Sequence, residues 1–272
     1  LRIKKSLIAV PYYVWAALFI IVPLIIVCVF AFTDDNGHVT FANILKITEN
    51  IDILLRSVLY AVAATAVCLV LGYAFAYFMS KQGPKTKSIL MILIILPMWI
   101  NFILRTQALQ NILSIIQSSI NSVLASMHLQ GITLMFTPFA VILGLVYNYL
   151  PFMVLPIYTS LEKLDYKVIE AAQDLGAGKL SVFYRVTLPL TMPGIGSGII
   201  MVFVPVISTF VISEKMGGGK FNLIGNIIQE QFLGTMYNPH VGAAISLVML
   251  VLILITLVIF SFLDDETREG LI

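Results

Sequence analysis

Val58-Leu-Tyr-Ala-Val-Ala-Ala-Thr-Ala-Val-Cys68-Leu-Val-Leu-Gly-Tyr-Ala-Phe-Ala-Tyr-Phe-Met79 is a 22-residue stretch without a charged side chain. A helix rises 1.5 Å per residue, so about 20 apolar residues cross the roughly 30 Å hydrocarbon core of a bilayer. This stretch predicts a membrane span. Five further runs of similar character flank it: Pro11 to Phe32, Ile89 to about Leu109, Phe136 to Tyr158, Pro193 to Ile212 and Val241 to Phe262. The composition agrees, because 60% of the 272 residues are hydrophobic, 11% are charged and the mean hydropathy is +1.00. Too few polar side chains remain to cover a water-soluble globule of this size. The expected fold is all-α and polytopic, with six transmembrane helices in one membrane domain over residues 1–272. Membrane lipid is its expected surrounding, and no nucleic acid is an expected partner.

Two runs need qualification. The third contains Pro97 and Arg105, which predict a kink and an outer end wrapped in protein or water rather than lipid. The first follows Arg2, Lys4 and Lys5 and continues past Pro23 without a small-residue cleavage pattern. It is read as a retained span, since a cleaved leader has a much shorter apolar region. The start at Leu1 rather than methionine leaves room for residues upstream. Cys28 and Cys68 both lie in apolar runs, so no disulfide framework is expected and both read as buried fillers.

Cationic residues in the short connections set the orientation, because the cytoplasmic side retains them. Arg2, Lys4, Lys5, Lys81, Lys85, Lys87, Lys163, Lys167, Lys179, Arg185 and Arg268 fall on one side. Lys46, Arg56, Arg105, Lys215 and Lys220 fall on the other. Eleven against five predicts that both termini are cytoplasmic. Thr33 to Ser57, Gln110 to Met135 and Ser213 to His240 then become external. The second of these reads as an interfacial segment. The third reads as a flexible turn, 214–220, leading into a short re-entrant or surface helix within Phe221 to Leu233.

Catalytic templates fail. Gly219-Lys220 ends like a phosphate loop, but Glu214 and Phe221 occupy positions that require Gly and Ser or Thr. Gly194-Ile-Gly196-Ser-Gly198 opens a span rather than following a strand, so close helix packing is the better reading, including against a second subunit. His38, His128 and His240 lack metal-ligand spacing and read as isolated, solvated residues. No metal site, catalytic residue or cofactor bound by this chain is expected.

The most informative connection runs Glu162-Lys-Leu-Asp165-Tyr-Lys-Val-Ile-Glu170-Ala171-Ala172-Gln-Asp174-Leu175-Gly176-Ala-Gly178-Lys179 and on to Leu188-Pro189. It predicts two short helices joined by a tight turn. Asp165 is a suitable N-cap, and Gly176 suits the left-handed residue that ends a helix. Either Ile169, Ala172 and Leu175 or Val168, Ala171 and Leu175 form the apolar stripe. Such a helix, carrying small alanines, can seat in a groove of another protein, where Glu170 can meet a basic residue.

The spacing Glu170-Ala171-Ala172, Gly176, Val186 and Leu188-Pro189 resembles the EAA signature of bacterial ATP-binding cassette (ABC) importer permeases, with Val186 where Ile is usual. The resemblance implies the type I importer permease fold. It also implies that Glu170, Ala171, Ala172, Asp174, Leu175 and Gly176 belong to a cytoplasmic coupling helix that docks into a separate ATPase. Asp34-Asp35, Leu71-Gly72-Tyr73, Met135-Phe136-Thr137-Pro138, Leu150-Pro151-Phe152-Met153, Leu161 to Asp165, Pro189 to Gly194 and Met216-Gly217-Gly218 resemble the B-type permeases of spermidine/putrescine importers. That branch implies a homodimeric ATPase holding ATP and Mg, a second permease of C type and an extracytoplasmic polyamine-binding protein, with this chain itself a multi-pass protein of the bacterial inner membrane. For a cationic cargo, Trp99, Tyr147, Tyr149, Glu214 and Glu230 are the candidates along the pathway. Arg105 is expected to bond carbonyls or an acid away from it. The alternative reading is an ion-gradient-driven secondary transporter, which predicts inverted halves and a central acid; neither is found. An ABC permease for another small solute is a further alternative.

Overall fold

The computed structural model describes residues 10–235 and 237–269, with side-chain environments up to Ile259. The cationic N-terminal residues Arg2, Lys4 and Lys5 lie outside the described residues. Helices dominate throughout. They are α1 (Val10–Ala31), α2 (Ile51–Ser80), α3 (Pro84–Ile95), α4 (Phe102–Ser126), α5 (Pro138–Glu162), α6 (Tyr166–Asp174), α7 (Lys179–Leu190), α8 (Met192–Ser208), α9 (Val211–Gly217), α10 (Ile224–Leu233) and α11 (Pro239–Glu269). Among the described residues, four helices are individually long and apolar enough to cross a membrane. Two bent pairs, α3 with α4 and α7 with α8, raise the number to six when each counts as one span.

Three boundaries differ from the sequence reading. The third span does not end near Leu109. After the 3₁₀ turn Leu96–Trp99 the backbone extends at Ile100 and Asn101, bends by 100°, and continues as helix to Ser126. The expected interfacial segment from Gln110 is therefore largely the continuation of α4. The bend has local causes. Pro97 lacks an N–H, and the Asn101 side chain accepts from the N–H groups of Ile103 (2.9 Å) and Leu104 (3.3 Å), capping a new helix. The fifth span ends at Ser208 rather than Ile212, because Thr209 is extended and α9 starts afresh. Residues expected in the flexible turn, Glu214 to Gly217, are consequently helical, and the turn is confined to Gly218 and Gly219, with φ of +59° and +74°. The short helix expected within Phe221 to Leu233 is present as α10.

The chain divides into two compact units. The first comprises residues up to Leu54 together with Ile227–Leu254. In it, His240 at the start of α11 stacks on Phe30 (5.0 Å between rings), its Nδ1 lies 3.0 Å from the Phe30 carbonyl, and its Nε2 lies 3.5 Å from the Asp35 carboxylate. The reading of His240 as isolated was wrong: the ring is engaged on three sides. The backbone N–H groups of His38 and Asn36 donate to the Asp34 carboxylate, and the His38 bond leads in holding its pKa below the usual range. Cys28, expected to be buried, is exposed.

The second unit comprises Leu55–Asn226 and residues from Ile255. Its core is the seam between α5 and α8. Gly194 lies where a Cβ would sit 2.7 Å from the Pro156 carbonyl and against Ser160, and a Cβ on Gly198 would meet Met153 Sδ at 2.7 Å. Gly194 and Gly198 thus do serve close packing, but within the chain, so these two are not available to a second subunit, whereas a Cβ on Gly196 would meet nothing within 4 Å. Met153 also closes on Gly72 of α2, and Gly144 of α5 meets Ile212 and Met216 of α9. Cys68 is buried here as expected.

Candidate functional site

Two places in the second unit gather the sequence-predicted residues. The first is the connection between α5 and α8. Asp165 caps α6 by accepting from the Lys167 N–H at 3.0 Å. At the other end Gly176 takes φ of +85°, its N–H donates to the Gln173 carbonyl (2.8 Å), and the Ala177 N–H donates to that of Ala172 (3.1 Å). This paired closure is the Schellman arrangement, which disposes of two of the helix's orphan carbonyls and fixes the direction in which the chain leaves.

The fold decides between the two predicted stripes. Ile169 is buried and Ala172 half-buried, so that side rests on the chain itself. Val168, Glu170, Ala171, Asp174 and Leu175 are exposed, Leu175 by 89%. On α7, Leu180 and Tyr184 are also exposed. A polar connection thus presents bare apolar side chains beside Glu170.

What holds this connection to the spans was not read from the sequence as such. Tyr73 and Tyr77, one turn apart near the end of α2, both meet the Phe183 ring edge-on at 5.6 Å. The Tyr73 hydroxyl lies 3.1 Å from the Thr191 hydroxyl, which in turn donates to the carbonyls of Thr187 and Leu188. Phe183 begins a π-turn, Phe183–Thr187, inside α7, and such turns often mark functional positions. The i, i+4 spacing of Tyr73 and Tyr77 beside the end of a span was the available signal. Lys87 and Glu162 add an ion pair of 2.6 Å between α3 and the end of α5.

The second place is the bend between α3 and α4. Arg105 is 7% exposed; its Nη1 donates to the Pro97 carbonyl (3.1 Å), Nε to Asn148 Oδ1 (2.8 Å) and Nη2 to the Asn148 carbonyl (3.3 Å). Asn148 Nδ2 is in turn bonded to the Gly144 carbonyl and the Thr106 hydroxyl. The arginine therefore adds a donor at the break, to a Pro97 carbonyl that also accepts from the Ile100 N–H at 3.2 Å, where hydrocarbon makes the pairing of backbone groups strict. It bonds carbonyls as expected. It does not stand apart from the candidates, however, since it lines the same cavity of about 490 Å³ as Trp99, Tyr149, Asn101, Phe102 and Phe152. The guanidinium carbon also sits 5.9 Å from the Tyr147 ring and 6.0 Å from that of Phe102.

Trp99 and Tyr149 thus share a wall, and Tyr147 approaches through Arg105. Trp99 is 87% exposed and also borders an apolar hollow with Ile92, Ile95 and Leu96. Glu214 is exposed on α9 rather than at the end of the fifth span. Glu230 belongs to the first unit, where its Oε1 accepts from the Thr235 N–H and hydroxyl, both at 3.0 Å. Asn148, a lone amide in an apolar run, was the missed residue with a visible signal.

Comparison with known proteins agrees with this architecture. Residues 68–269 match the family described as binding-protein-dependent transport system inner membrane component. The spermidine/putrescine transport system permease protein PotB of Escherichia coli (strain K12) is 41% identical over 256 residues, covering 90% of this chain and 92% of that protein. PotB of Haemophilus influenzae is 35% identical over 256 residues, covering 90% and 89%. A chain of a bacterial alginate ABC transporter, crystallised in complex with an alginate pentasaccharide-bound periplasmic protein, superposes with a TM-score of 0.72 at 14% identity, covering 97% of this chain and 94% of that one, and so shares the fold. The buried α5/α8 seam, the outward-facing helix α6 and these similarities lead to one assignment: the chain is an inner-membrane permease subunit of the binding-protein-dependent ABC importer family, with the type I importer permease fold.

Proposed function

We propose that this chain forms, with a second permease of C type, the pathway by which a bacterial cell takes up polyamines, driven by a homodimeric ATPase that holds ATP and Mg. In this reading residues 1–272 act as one permease domain, both termini are cytoplasmic, and an extracytoplasmic binding protein delivers spermidine or putrescine. The observation that carries the coupling role is the outer face of α6 and α7. Leu175, Leu180 and Tyr184 are exposed by 89%, 75% and 63% beside the exposed Glu170, in a connection otherwise pinned to α2 through Phe183 and Thr191. Apolar side chains left bare in a tightly capped element suit a groove on a partner. Glu170, Ala171, Ala172, Asp174, Leu175 and Gly176 then transmit closure of the ATPase dimer to the spans.

The substrate class is supported by the PotB relatives and by the aromatic wall of Trp99, Tyr149, Phe102 and Phe152, whose ring faces attract ammonium groups. Arg105 on that wall keeps the attraction weak, as a pathway that must release its cargo requires. Glu214 remains a candidate contact, and Glu230 serves the Thr235 turn first. The test is uptake of labelled spermidine in cells carrying the whole complex, with putrescine and unrelated solutes as competitors. Competition by polyamines alone supports the reading. Uptake indifferent to polyamines sinks the substrate class and leaves the permease assignment in place.

A further inference from the structure

Beneath α6, on the side away from its exposed face, lies a cavity of about 260 Å³ lined by Tyr77, Lys81, Tyr166, Ile169, Gln173, Lys179, Val182, Phe183 and Thr187. Its lining contains two ammonium groups, two phenols, an amide and a hydroxyl, and no carboxylate. Lys81 Nζ stands 5.3 Å from the Tyr77 ring centroid and 5.4 Å from that of Tyr166, so two rings hold it at the wall. Among the described residues neither Lys81 nor Lys179 forms an ion pair, whereas the nearby Lys87 is neutralised by Glu162. Thr187, 4% exposed, brings its side chain to the same wall.

Lys81, on the cavity wall, directly follows Ser80, the last residue of α2 and of its apolar span. Side chains at that level meet lipid headgroups, and tyrosine is the residue that favours this depth. Basic pockets at span ends accept anionic headgroups, each lysine adding to the attraction near a charged surface. We infer that this cavity binds a phosphate-bearing anion, and that at this depth the anion is the headgroup of an anionic phospholipid, which bridges the end of α2 to the underside of α6. The inference concerns neither the transported solute nor the outer face of α6.

The assembled complex, purified and placed in nanodiscs, tests this. Retention of phosphatidylglycerol is read by native mass spectrometry for the wild type, for K81Q/K179Q and for the control K85Q/K163Q, which removes the same charge away from the cavity. The cavity double variant should retain the lipid about thirtyfold more weakly, roughly fivefold per lysine, with the control near wild type. Co-purification of the ATPase with each variant establishes that it has folded and assembled. In discs of neutral lipid, inorganic phosphate should not substitute for phosphatidylglycerol. If it protects the Lys81 and Lys179 ammonium groups from acylation equally well, the headgroup assignment is overturned. Equal retention by the cavity variant and the wild type, or equal loss by the control, overturns the site itself.

Discussion

The α6 connection and the α3/α4 bend lie in the same compact unit and satisfy their polar groups in opposite ways. At the connection, signature residues project outward: Glu170 and Ala171 are exposed, as is Leu175 beside them, and the backbone is closed locally by Asp165 and Gly176. At the bend, Arg105, Asn148, Pro97 and Thr106 satisfy one another across two helices. An element completed by its own backbone leaves its side chains free for a partner. An element that needs distant side chains to complete its backbone has few to spare, and its working surface is whatever lines the remaining cavity.

Substitutions can break this contrast in order of expected effect. On the proposed docking of Glu170 against a basic residue of the ATPase, Glu170→Ala should reduce uptake by about thirtyfold or more, because truncating one member of such a charge pair costs ~2 kcal/mol or more. Membrane insertion and thermal stability should stay near wild type. A parallel loss of stability would place Glu170 inside the fold and undo the contrast. Arg105→Ala should do the reverse, lowering the unfolding temperature of the purified complex. Each buried group left unpaired costs about 1–3 kcal/mol; Asn148 Oδ1 loses its donor, while the Pro97 carbonyl keeps the Ile100 N–H. Arg105→Lys, with one ammonium for three bonds, should recover only part.

Gly176→Ala forces a side chain into φ of +85°, at a cost of roughly 1–2 kcal/mol confined to the end of α6. Uptake should fall while the complex melts as before, and a normal uptake rate would mean that the exit direction of α6 does not matter to coupling. Trp99→Ala is the mildest. With the ring 87% exposed, stability should change by no more than about 0.5 kcal/mol, and the half-saturating substrate concentration for uptake should rise. An unchanged concentration dependence removes Trp99 from the pathway.

Legibility followed the same division. The capped helix at 166–174 was visible because its signals are local: a capping Asp165, a terminating Gly176 and an apolar periodicity between them. Which stripe faced inward was not visible, since Ile169 and Val168 are equivalent until a second element covers one of them. The bend was half legible. Pro97 announced a kink, but the 100° turn and the continuation to Ser126 depend on Asn101 capping and on Arg105 reaching Asn148, 43 positions along the chain. Glycine chemistry told a similar story: Gly194 and Gly198 announced close packing without naming the partner, which proved to be Met153, Pro156 and Ser160 of α5.

The sequence by itself therefore determined the apolar spans, the capped helix between α5 and α8 and the family, because hydrocarbon thickness and backbone capping act over a few consecutive residues. Only the tertiary structure decided that Arg105 shares a cavity with Trp99 and Tyr149, that Tyr73 and Tyr77 hold Phe183, and that Gly194 and Gly198 are consumed inside the chain. These are pairings between helices far apart in sequence. Packing selects them, since each depends on which faces the helices bury against one another, and a linear pattern carries no record of that choice.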